Sequence, residues 1–312
     1  MNILVFGKDG QLGKAFQDKL LQPLYQRHHN IHFVGCNECD LSNPDQIIGL
    51  LNGFLPDLII NGAAYTAVDQ AESEPELAFA INASAPEVMA KYCAQQGASF
   101  LHFSTDYVFD GEKQGAYTEL DQPSPLSVYG KSKAAGEKAI IKAFDDIKNV
   151  NSRYVIFRAS WVYGDGDNFI RMILRLANER SSLQVIKDQY GVPTSADWLA
   201  QVACFFVLGE SGFNEFRSGI YHAVPQGETS WYALACLVVK AALYAGKVLK
   251  ISPAEIVAIT ASEYSMLASR PMNSRLSRDK LKNELERLGV VSKLPHWNTP
   301  WDKQVLSYVK HL

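Results

Sequence analysis

The feature that most constrains the fold is a glycine-rich segment that directly follows the first apolar run. Residues 2–6 are mostly apolar, and Gly7, Gly10 and Gly13 come at once after them. A continuous apolar strand is typical of a parallel sheet covered on both faces. Glycines after such a strand permit a tight turn and a close approach to a pyrophosphate, and the next helix offers free N–H groups to it. The segment therefore predicts a dinucleotide-binding turn.

The rest of the first half alternates between apolar strands and helical patterns. The predicted strands are residues 2–6, 31–34, 57–60, 99–103 and 153–158. The predicted helices are residues 11–21, one that opens at Asn43-Pro44, 75–95 with an interruption near Pro86, and 126–144. Strands that alternate with helices indicate βαβ units. The predicted fold is α/β, with a Rossmann-type parallel sheet and helices on both faces.

The second half has a looser pattern, with prolines between short elements after about residue 164. We therefore predict a dinucleotide-binding Rossmann domain at 1–164 and a smaller, mainly substrate-binding C-terminal lobe at 165–312. Some segments of the lobe are expected to return to the Rossmann domain. Residues 231–245 form the most apolar long stretch, but Lys240 interrupts it and a membrane span needs about 20 apolar residues. This stretch predicts a packed helix.

Composition and charge narrow the range of partners. The 312 residues carry 30 Lys and Arg against 33 Asp and Glu, a formal net charge of -3. A nucleic-acid-binding protein would show a basic excess, so no nucleic acid polymer is expected as a partner. The first residues are those of a buried strand instead of a basic leader, which predicts a cytoplasmic protein that does not bind a membrane.

Cysteine and histidine spacings do not favour a metal centre. Cys36 and Cys39 form a CxxC pair, but no second Cys/His pair at zinc spacing accompanies it. The five cysteines are odd in number and scattered, which predicts reduced thiols instead of a disulfide framework. His28, His29 and His32 lie together without a convergent acid or thiol. We therefore predict no metal ligands among these residues.

Tyr129 and Lys133 form the second chemical signal. They are spaced i and i+4 on one predicted helix, so they share a face. A phenol has a pKa of about 10, and a nearby ammonium would stabilise the phenolate and lower that pKa. Such a pair can act as a tuned acid or base beside a carbonyl group.

The third signal is the segment that contains Ser104 and Thr105, just past the fourth predicted strand. The carboxyl edge of a parallel sheet is where ligands bind in such folds. A hydroxyl group at this edge can hydrogen-bond a substrate oxygen. We therefore place both residues near the reacting group.

Together these motifs resemble the extended short-chain dehydrogenase/reductases that act on nucleotide sugars, and among them the dTDP-4-dehydrorhamnose reductase family. The resemblance extends over essentially the whole chain. It rests on residues 6–13, 61–72, 104–109, 128–130, 158–164, 188–194 and 270–276.

The resemblance implies roles for individual residues. Three match the catalytic hydroxyl, the proton donor and the catalytic lysine: Thr105, Tyr129 and Lys133. Those that match the cofactor site are Gly7, Gly10, Gln11, Leu12, Gly13, Asp40, Leu41, Ala63, Ala64 and Tyr65, together with Tyr129 and Lys133. The implied substrate contacts are Ser104, Thr105, Trp161, Asn168, Arg270 and Asn273.

The resemblance also implies the reaction and the cofactor. The reaction is NAD(P)H-dependent reduction of the C4 carbonyl of dTDP-4-dehydro-β-L-rhamnose to dTDP-L-rhamnose. A Rossmann fold that selects NAD has an acid at the end of the second strand, whereas this chain has no acid from Gly35 to Asn37. NADPH is therefore the expected cofactor, with NADH also accepted.

Some family members bind Mg²⁺ through glutamates at a dimer interface, one of them soon after the glycine segment. Here Lys14 and Ala15 follow Gly13, which does not favour a Mg²⁺-bridged dimer. A homodimer is left open.

Other functions on the same scaffold are also left open. The chain could reduce another nucleotide 4-ketosugar, or act as a nucleotide-sugar epimerase or dehydratase. It could also be a non-catalytic regulatory subunit that resembles the β-subunit of methionine adenosyltransferase. The intact set of Thr105, Tyr129 and Lys133 favours an enzyme.

Overall fold

The computed structural model describes residues 1–209, 212–264 and 266–312. Its strands are β1 Asn2–Phe6, β2 Asn30–Val34, β3 Leu58–Asn61, β4 Ser99–Thr105, β5 Arg153–Ala159, β6 Val162–Tyr163, β7 Leu183–Ile186, β8 Tyr190–Gly191, β9 Thr194–Ser195, β10 Gly219–His222, β11 Thr229–Ser230 and β12 Ile256–Ile259. Its α-helices are α1 Gln11–Leu20, α2 Pro23–Gln26, α3 Pro44–Phe54, α4 Val68–Ala71, α5 Pro75–Phe79, α6 Ala85–Gln96, α7 Val128–Ile147, α8 Phe169–Glu179, α9 Ala196–Val207, α10 Trp231–Tyr244, α11 Asp279–Arg287 and α12 Trp301–His311.

The central sheet has six strands in the order β2-β1-β3-β4-β5-β10, and each neighbouring pair is parallel. The chain moves from β1 to one side for β2 and then crosses to the other side for β3. Such a switch point opens a crevice at the carboxyl ends of the strands.

Both faces of this sheet are covered by helices because successive residues of a strand point to opposite faces. Ile3 and Val5 pack in the core cluster that contains α1 and α9. Leu4 and Phe6 pack in the cluster that contains α3, α6 and α7. The prediction of a Rossmann-type parallel sheet with helices on both faces is confirmed.

The sequence patterns locate most elements of the first half. Each of the five predicted strands overlaps an observed one, and the helix predicted at Asn43-Pro44 begins at Pro44 with the Asn43 side chain as its N-cap. The interruption predicted near Pro86 is a π-helical segment, Ala80–Ser84, directly before α6. The short helix α2 was not predicted, since its four residues are too few for a periodic pattern.

The second half contributes to both parts of the molecule. Helix α10 confirms the packed helix predicted for residues 231–245. It lies in a separate core cluster with α8 and α12. By contrast, β10 extends the central sheet beside β5, and α9 packs on α1. The division at residue 164 stays a prediction. No helix among the described residues is both long and apolar enough to span a membrane.

A buried ion pair joins the sheet to α7. Arg158 of β5 is 1% exposed, and Glu137 of α7 is 2% exposed. The Arg158 guanidinium donates from Nε and Nη2 to the two Glu137 oxygens at 2.8 and 2.6 Å. The guanidinium also lies over the Phe109 ring, 5.0 Å from its centroid. This pair holds α7 at a fixed place against β5.

We predict that Glu137→Gln lowers the free energy of unfolding by about 3–5 kcal/mol, because it leaves the Arg158 charge buried without a counter-charge. Urea unfolding followed by circular dichroism measures the change. Asp146→Asn is the control, since it removes one partner of the exposed Lys142–Asp146 pair on the same helix. An exposed pair contributes little, so no measurable loss is expected there. Equal effects of the two substitutions would contradict the prediction.

Candidate active site

A cleft of about 580 Å³ opens at the carboxyl ends of the central strands. Its wall is formed by residues that follow β1, β2 and β3 and by the ends of β4 and β5, together with part of α7. It brings together most of the residues that the sequence singled out, namely Gly7, Gly10, Gln11, Leu12, Asp40, Leu41, Ala63, Ala64, Ser104, Thr105, Tyr129, Lys133 and Trp161.

The glycine turn is shaped by two close backbone approaches. Gly7 has φ +86°, and a Cβ there would lie 2.7 Å from the backbone nitrogen of Ala63. A Cβ on Gly13 would lie 1.9 Å from the Gly7 carbonyl oxygen. Gly10 is the N-cap of α1 and brings no side chain between the helix N-terminus and the cleft. The turn therefore leaves a backbone surface that suits a pyrophosphate.

The loop after β2 folds back and returns a carboxylate to the end of that strand. The Gly35 N–H donates to Glu38 Oε2 at 2.9 Å, and Glu38 also pairs with Lys8. The hydrogen bond with Lys8 lowers the pKa of Glu38, and the same bond raises the pKa of Lys8. The sequence analysis found no acid from Gly35 to Asn37 and did not foresee that the chain turns here, where the Glu38 N–H bonds the Gly35 carbonyl.

Tyr129 and Lys133 both line the cleft, one helical turn apart on α7. Burial is the main reason that the pKa of Tyr129 rises to about 12, while a hydrogen bond with Thr105 opposes the rise. The sequence-based expectation of a Tyr129 pKa lowered by Lys133 is therefore wrong, because desolvation dominates and the Lys133 amine contacts Phe103 and His102 instead. A phenol with this pKa stays protonated near neutral pH, as a proton donor must.

The side-chain amine of Lys133 points beneath the cleft. Its Nζ donates to the Phe103 carbonyl at 2.6 Å and lies 3.3 Å from His102 Nε2. Burial lowers the pKa of Lys133 to about 8, although Glu137 on the next turn raises it. A lysine in this environment can lose its proton close to neutral pH.

The end of β4 places three polar side chains against the cleft. Thr105 Oγ1 donates to Asp106 Oδ1 at 3.1 Å and accepts the Tyr107 N–H at 3.2 Å. Ser104 Oγ is buried without a hydrogen-bond partner among the described residues. Buried polar atoms are almost always paired, so this atom suits a polar ligand. The Asp106 carboxyl also has a hydrogen bond with the side chain of Ser274. Burial also raises the pKa of Asp106 to about 7.

Two tryptophans form the aromatic wall of the cleft. The ring centroids of Trp161 and Trp231 are 3.6 Å apart, and their planes differ by 14°. Trp161 has φ +48°, and a Cβ on Gly191 would lie 2.5 Å from the Trp161 ring. A left-handed backbone at a bulky residue is uncommon and often marks a functional site. Sequence reasoning missed Trp231 because it lies in a helix read only as packed core.

The remaining residues singled out by the sequence lie outside the cleft wall, and their roles stay predictions. Asn168 caps α8 and donates to Gln11 Oε1 at 3.1 Å. Tyr65 donates its hydroxyl proton to Glu74 at 2.7 Å.

Arg270 and Asn273 connect the segment before α11 to the rim of the cleft. The Arg270 guanidinium donates to both oxygens of Asp69, at 3.1 and 2.6 Å. Asn273 Nδ2 donates to the carbonyls of Lys113 and Gly115 at 2.6 and 2.7 Å. Both side chains therefore make contacts that hold this segment in place.

The described residues contain no group of three or more His, Cys, Asp and Glu side chains arranged to hold a metal ion. Lys14, which follows the glycine turn, pairs with Asp165 at 3.1 Å. The cleft is thus lined by hydroxyl, carboxyl, amine and aromatic groups, without a metal-ligand set.

Comparison with known proteins agrees with this geometry. The RmlD substrate binding domain family matches residues 1–306. A dTDP-4-dehydrorhamnose reductase of Salmonella typhimurium is 42% identical over 301 residues, which are 95% of this chain and 94% of the relative.

Two solved structures are also similar to this one. A dTDP-4-dehydrorhamnose reductase of Clostridium acetobutylicum is 30% identical with a TM-score of 0.83, covering 100% of this chain and 99% of that one. A dTDP-4-dehydrorhamnose reductase of Bacillus anthracis, solved in complex with NADP, is 30% identical with a TM-score of 0.78, covering 93% of this chain and 98% of that one. The chain therefore belongs to the RmlD substrate binding domain family.

Proposed function

We propose that this protein is an NAD(P)H-dependent reductase that converts dTDP-4-dehydro-β-L-rhamnose to dTDP-L-rhamnose. The observation that carries the proposal is the meeting of Thr105, Tyr129 and Lys133 at one edge of the cleft, with the pKa of Tyr129 raised to about 12. The names of the similar proteins supply the substrate, since each is a dTDP-4-dehydrorhamnose reductase.

The residues present fit a nicotinamide dinucleotide. Side chains are excluded at Gly7 and Gly13, which leaves room for a pyrophosphate at the N-terminus of α1. Asp40 and Leu41 would hold the adenine, and Ala63 and Ala64 would lie beside the nicotinamide ribose. When bound in its reduced form, the cofactor supplies a hydride.

The chain's own residues account for the rest of the reaction. Tyr129 is protonated near neutral pH and would give its proton to the oxygen of the sugar carbonyl as charge develops there. Thr105 would donate a hydrogen bond to the same oxygen and orient it. Lys133 would hold the nicotinamide ribose, one helical turn from Tyr129. Trp161 and Trp231 would exclude water from one side of the sugar.

We also propose that the two halves of the chain bind different ligands, as the sequence suggested. Residues 1–164 would hold the dinucleotide, and residues 165–312 would supply most of the nucleotide-sugar site. Trp231 supports this division, since it begins α10 and lines the cleft. The pairing of β10 with β5 supports the expectation that some segments of the second half return to the Rossmann domain.

We predict that Tyr129→Phe lowers kcat by about 10² or more, because general acid catalysis is lost while the ring remains. The measurement is NADPH oxidation with dTDP-4-dehydro-β-L-rhamnose, and cofactor affinity should change little. Tyr244→Phe is the control, since Tyr244 is 82% exposed at the end of α10. Near-normal turnover by Tyr129→Phe would remove Tyr129 from the mechanism.

The structure also favours a reductase over a dehydratase. Eliminating water from a 4-ketosugar needs both a base and an acid, and dehydratases resembling this family look as if they use an Asp-Glu pair after the threonine. Here Asp106 is followed by Tyr107, whose ring packs against Tyr129 with centroids 5.6 Å apart. Burial raises the pKa of Tyr107, so its phenol stays protonated near neutral pH and is not available as a base. Asp110, the next carboxylate, instead accepts the Tyr117 hydroxyl at 2.6 Å.

We predict that the protein consumes one reduced cofactor per 4-ketosugar and forms no 4-keto-6-deoxy product from dTDP-glucose and NAD⁺. Chromatography of the nucleotide sugars measures both outcomes. Appearance of the 4-keto-6-deoxy product at catalytic rates would favour the dehydratase. Failure to oxidise NADPH with any nucleotide 4-ketosugar would favour the regulatory subunit.

The Glu38 carboxylate at the end of β2 predicts how the chain discriminates between cofactors. The measured quantity is the affinity for 2′,5′-ADP divided by the affinity for 5′-AMP. We expect this ratio to be about tenfold higher in Glu38→Gln than in the wild type, because the substitution removes a negative charge and frees Lys8 for the 2′-phosphate. Titration calorimetry measures both affinities without turnover. Glu76→Gln is the control, since it removes the same charge from exposed α5. An unchanged ratio in Glu38→Gln would show that Glu38 does not face the ribose.

A further inference from the structure

A line of buried polar groups runs beneath the cleft from β3 to α7. Asn61 and His102 are opposite each other in the parallel register of β3 and β4, and both are 0% exposed. Asn61 Nδ2 lies 3.2 Å from His102 Nδ1, and His102 Nε2 lies 3.3 Å from Lys133 Nζ. The reaction described above makes no use of Asn61 or His102.

The orientation of the Asn61 amide determines which ring nitrogen of His102 carries the proton. Asn61 Oδ1 accepts the Ala63 N–H at 3.1 Å, so Asn61 Nδ2 faces the ring as a donor. His102 Nδ1 must then accept, which places the proton of a neutral imidazole on Nε2. Burial and the nearby Lys133 hold the pKa of His102 well below its usual value, so the ring is neutral.

This arrangement satisfies only one protonation state of Lys133. An Nε2–H that faces Nζ needs a lone pair, which a neutral amine has and an ammonium lacks. A charged Lys133 instead needs a lone pair on His102 Nε2, so the ring proton must move to Nδ1. Asn61 must then turn its oxygen toward the ring, and the Ala63 N–H loses its acceptor.

We propose that Asn61 and His102 are a positioning pair that couples the protonation of Lys133 to the backbone hydrogen bond of Ala63. The inference rests on the proposed function in one respect, since Lys133 and Ala63 are there both assigned to the nicotinamide ribose. With Lys133 neutral, Asn61 holds the Ala63 backbone. With Lys133 charged, the ring proton is on Nδ1 and the Ala63 N–H is free. Passing from the charged to the neutral arrangement releases one proton in total.

The charged groups around Asn61 and His102 determine the pH at which Lys133 passes from the charged to the neutral arrangement. Glu137, on the next turn of α7, raises the pKa of Lys133 but is itself bound by Arg158 of β5. Burial is the larger effect and lowers the pKa of Lys133 to about 8. Tyr129 lies one turn away on α7, and Asp106 follows the end of β4. Below pH 8 the charged arrangement is favoured, and above it the neutral one.

Nitrogen-15 NMR of histidine-labelled protein tests the coupling directly, since the two ring nitrogens report the tautomer. The signals of His102 are assigned by their loss in His102→Gln. In the wild type we expect the His102 proton to move from Nδ1 to Nε2 between pH 6 and pH 10. A single tautomer over this range would overturn the proposal, and this measurement needs no further variant.

Two substitutions test the coupling from its ends. Lys133→Met removes the titrating amine, so His102 should keep its proton on Nε2 throughout. In Asn61→Asp one carboxylate oxygen still accepts the Ala63 N–H, and the other accepts from His102 Nδ1. His102 should therefore keep its proton on Nδ1. A tautomer change that persists in Lys133→Met would assign the titration to another group and contradict the proposal.

Asn43→Asp is the matched control for the amide-to-acid change. Asn43 is the N-cap of α3, where Asp caps equally well. It is expected to leave the His102 titration as in the wild type.

Kinetics separate this inference from the proposed function. One limb of the kcat–pH profile reports the titration of Lys133. In Asn61→Asp this limb should move to a pH that is higher by one unit or more. If Asn61 had a merely structural role, the substitution would instead lower kcat at all pH values. A wild type that titrates at His102 but reduces no 4-ketosugar would refute the proposed function alone. A wild type that turns over without a tautomer change would refute the coupling alone.

Discussion

The packing of α7 against β4 is the constraint on which the chemistry of the cleft depends. It takes Lys133 and most of Tyr129 out of water, and Asp106, which directly follows β4, is buried as well. Desolvation penalises the charged form of every ionisable group, so it raises the pKa of Tyr129 and Asp106 and lowers that of Lys133. The edge of the sheet thus favours neutral groups that can exchange protons. The buried pair of Arg158 and Glu137 keeps α7 in this position.

The parallel sheet explains why these groups face one cleft. Every strand of the sheet ends at the same edge, and the order reverses between β1 and β3. The reversal separates the helices on either side and leaves a crevice that a dinucleotide can enter. The close approach of Gly7 to Ala63 joins the first and third strands at this point. A side chain at Gly7 or Gly13 would force the turn away from the sheet.

The second half of the chain contributes a strand to the central sheet and side chains to the cleft at its edge. Strand β10 pairs with β5, and the N-terminus of α10 brings Trp231 onto Trp161. The contact between Arg270 and Asp69 fastens the segment before α11 to α4 on the other side of the cleft. A cleft bounded by both halves of the chain can hold a dinucleotide and a nucleotide sugar together, which catalysis by proximity requires.

The sequence by itself determined the alternating strands and helices, the glycine turn and the i, i+4 spacing of Tyr129 and Lys133 on one helix. These features depend on local periodicity and on residue types that few backbone conformations accept. Only the tertiary structure decided that Glu38 returns to the end of β2, that Trp231 meets Trp161, and that Asn61 and His102 lie beneath Lys133. Each of these contacts joins residues from different elements or across a turn. The tertiary structure also decided that the pKa of Tyr129 is raised. Desolvation depends on everything that packs around a group, and the spacing of residues along the chain does not report that packing.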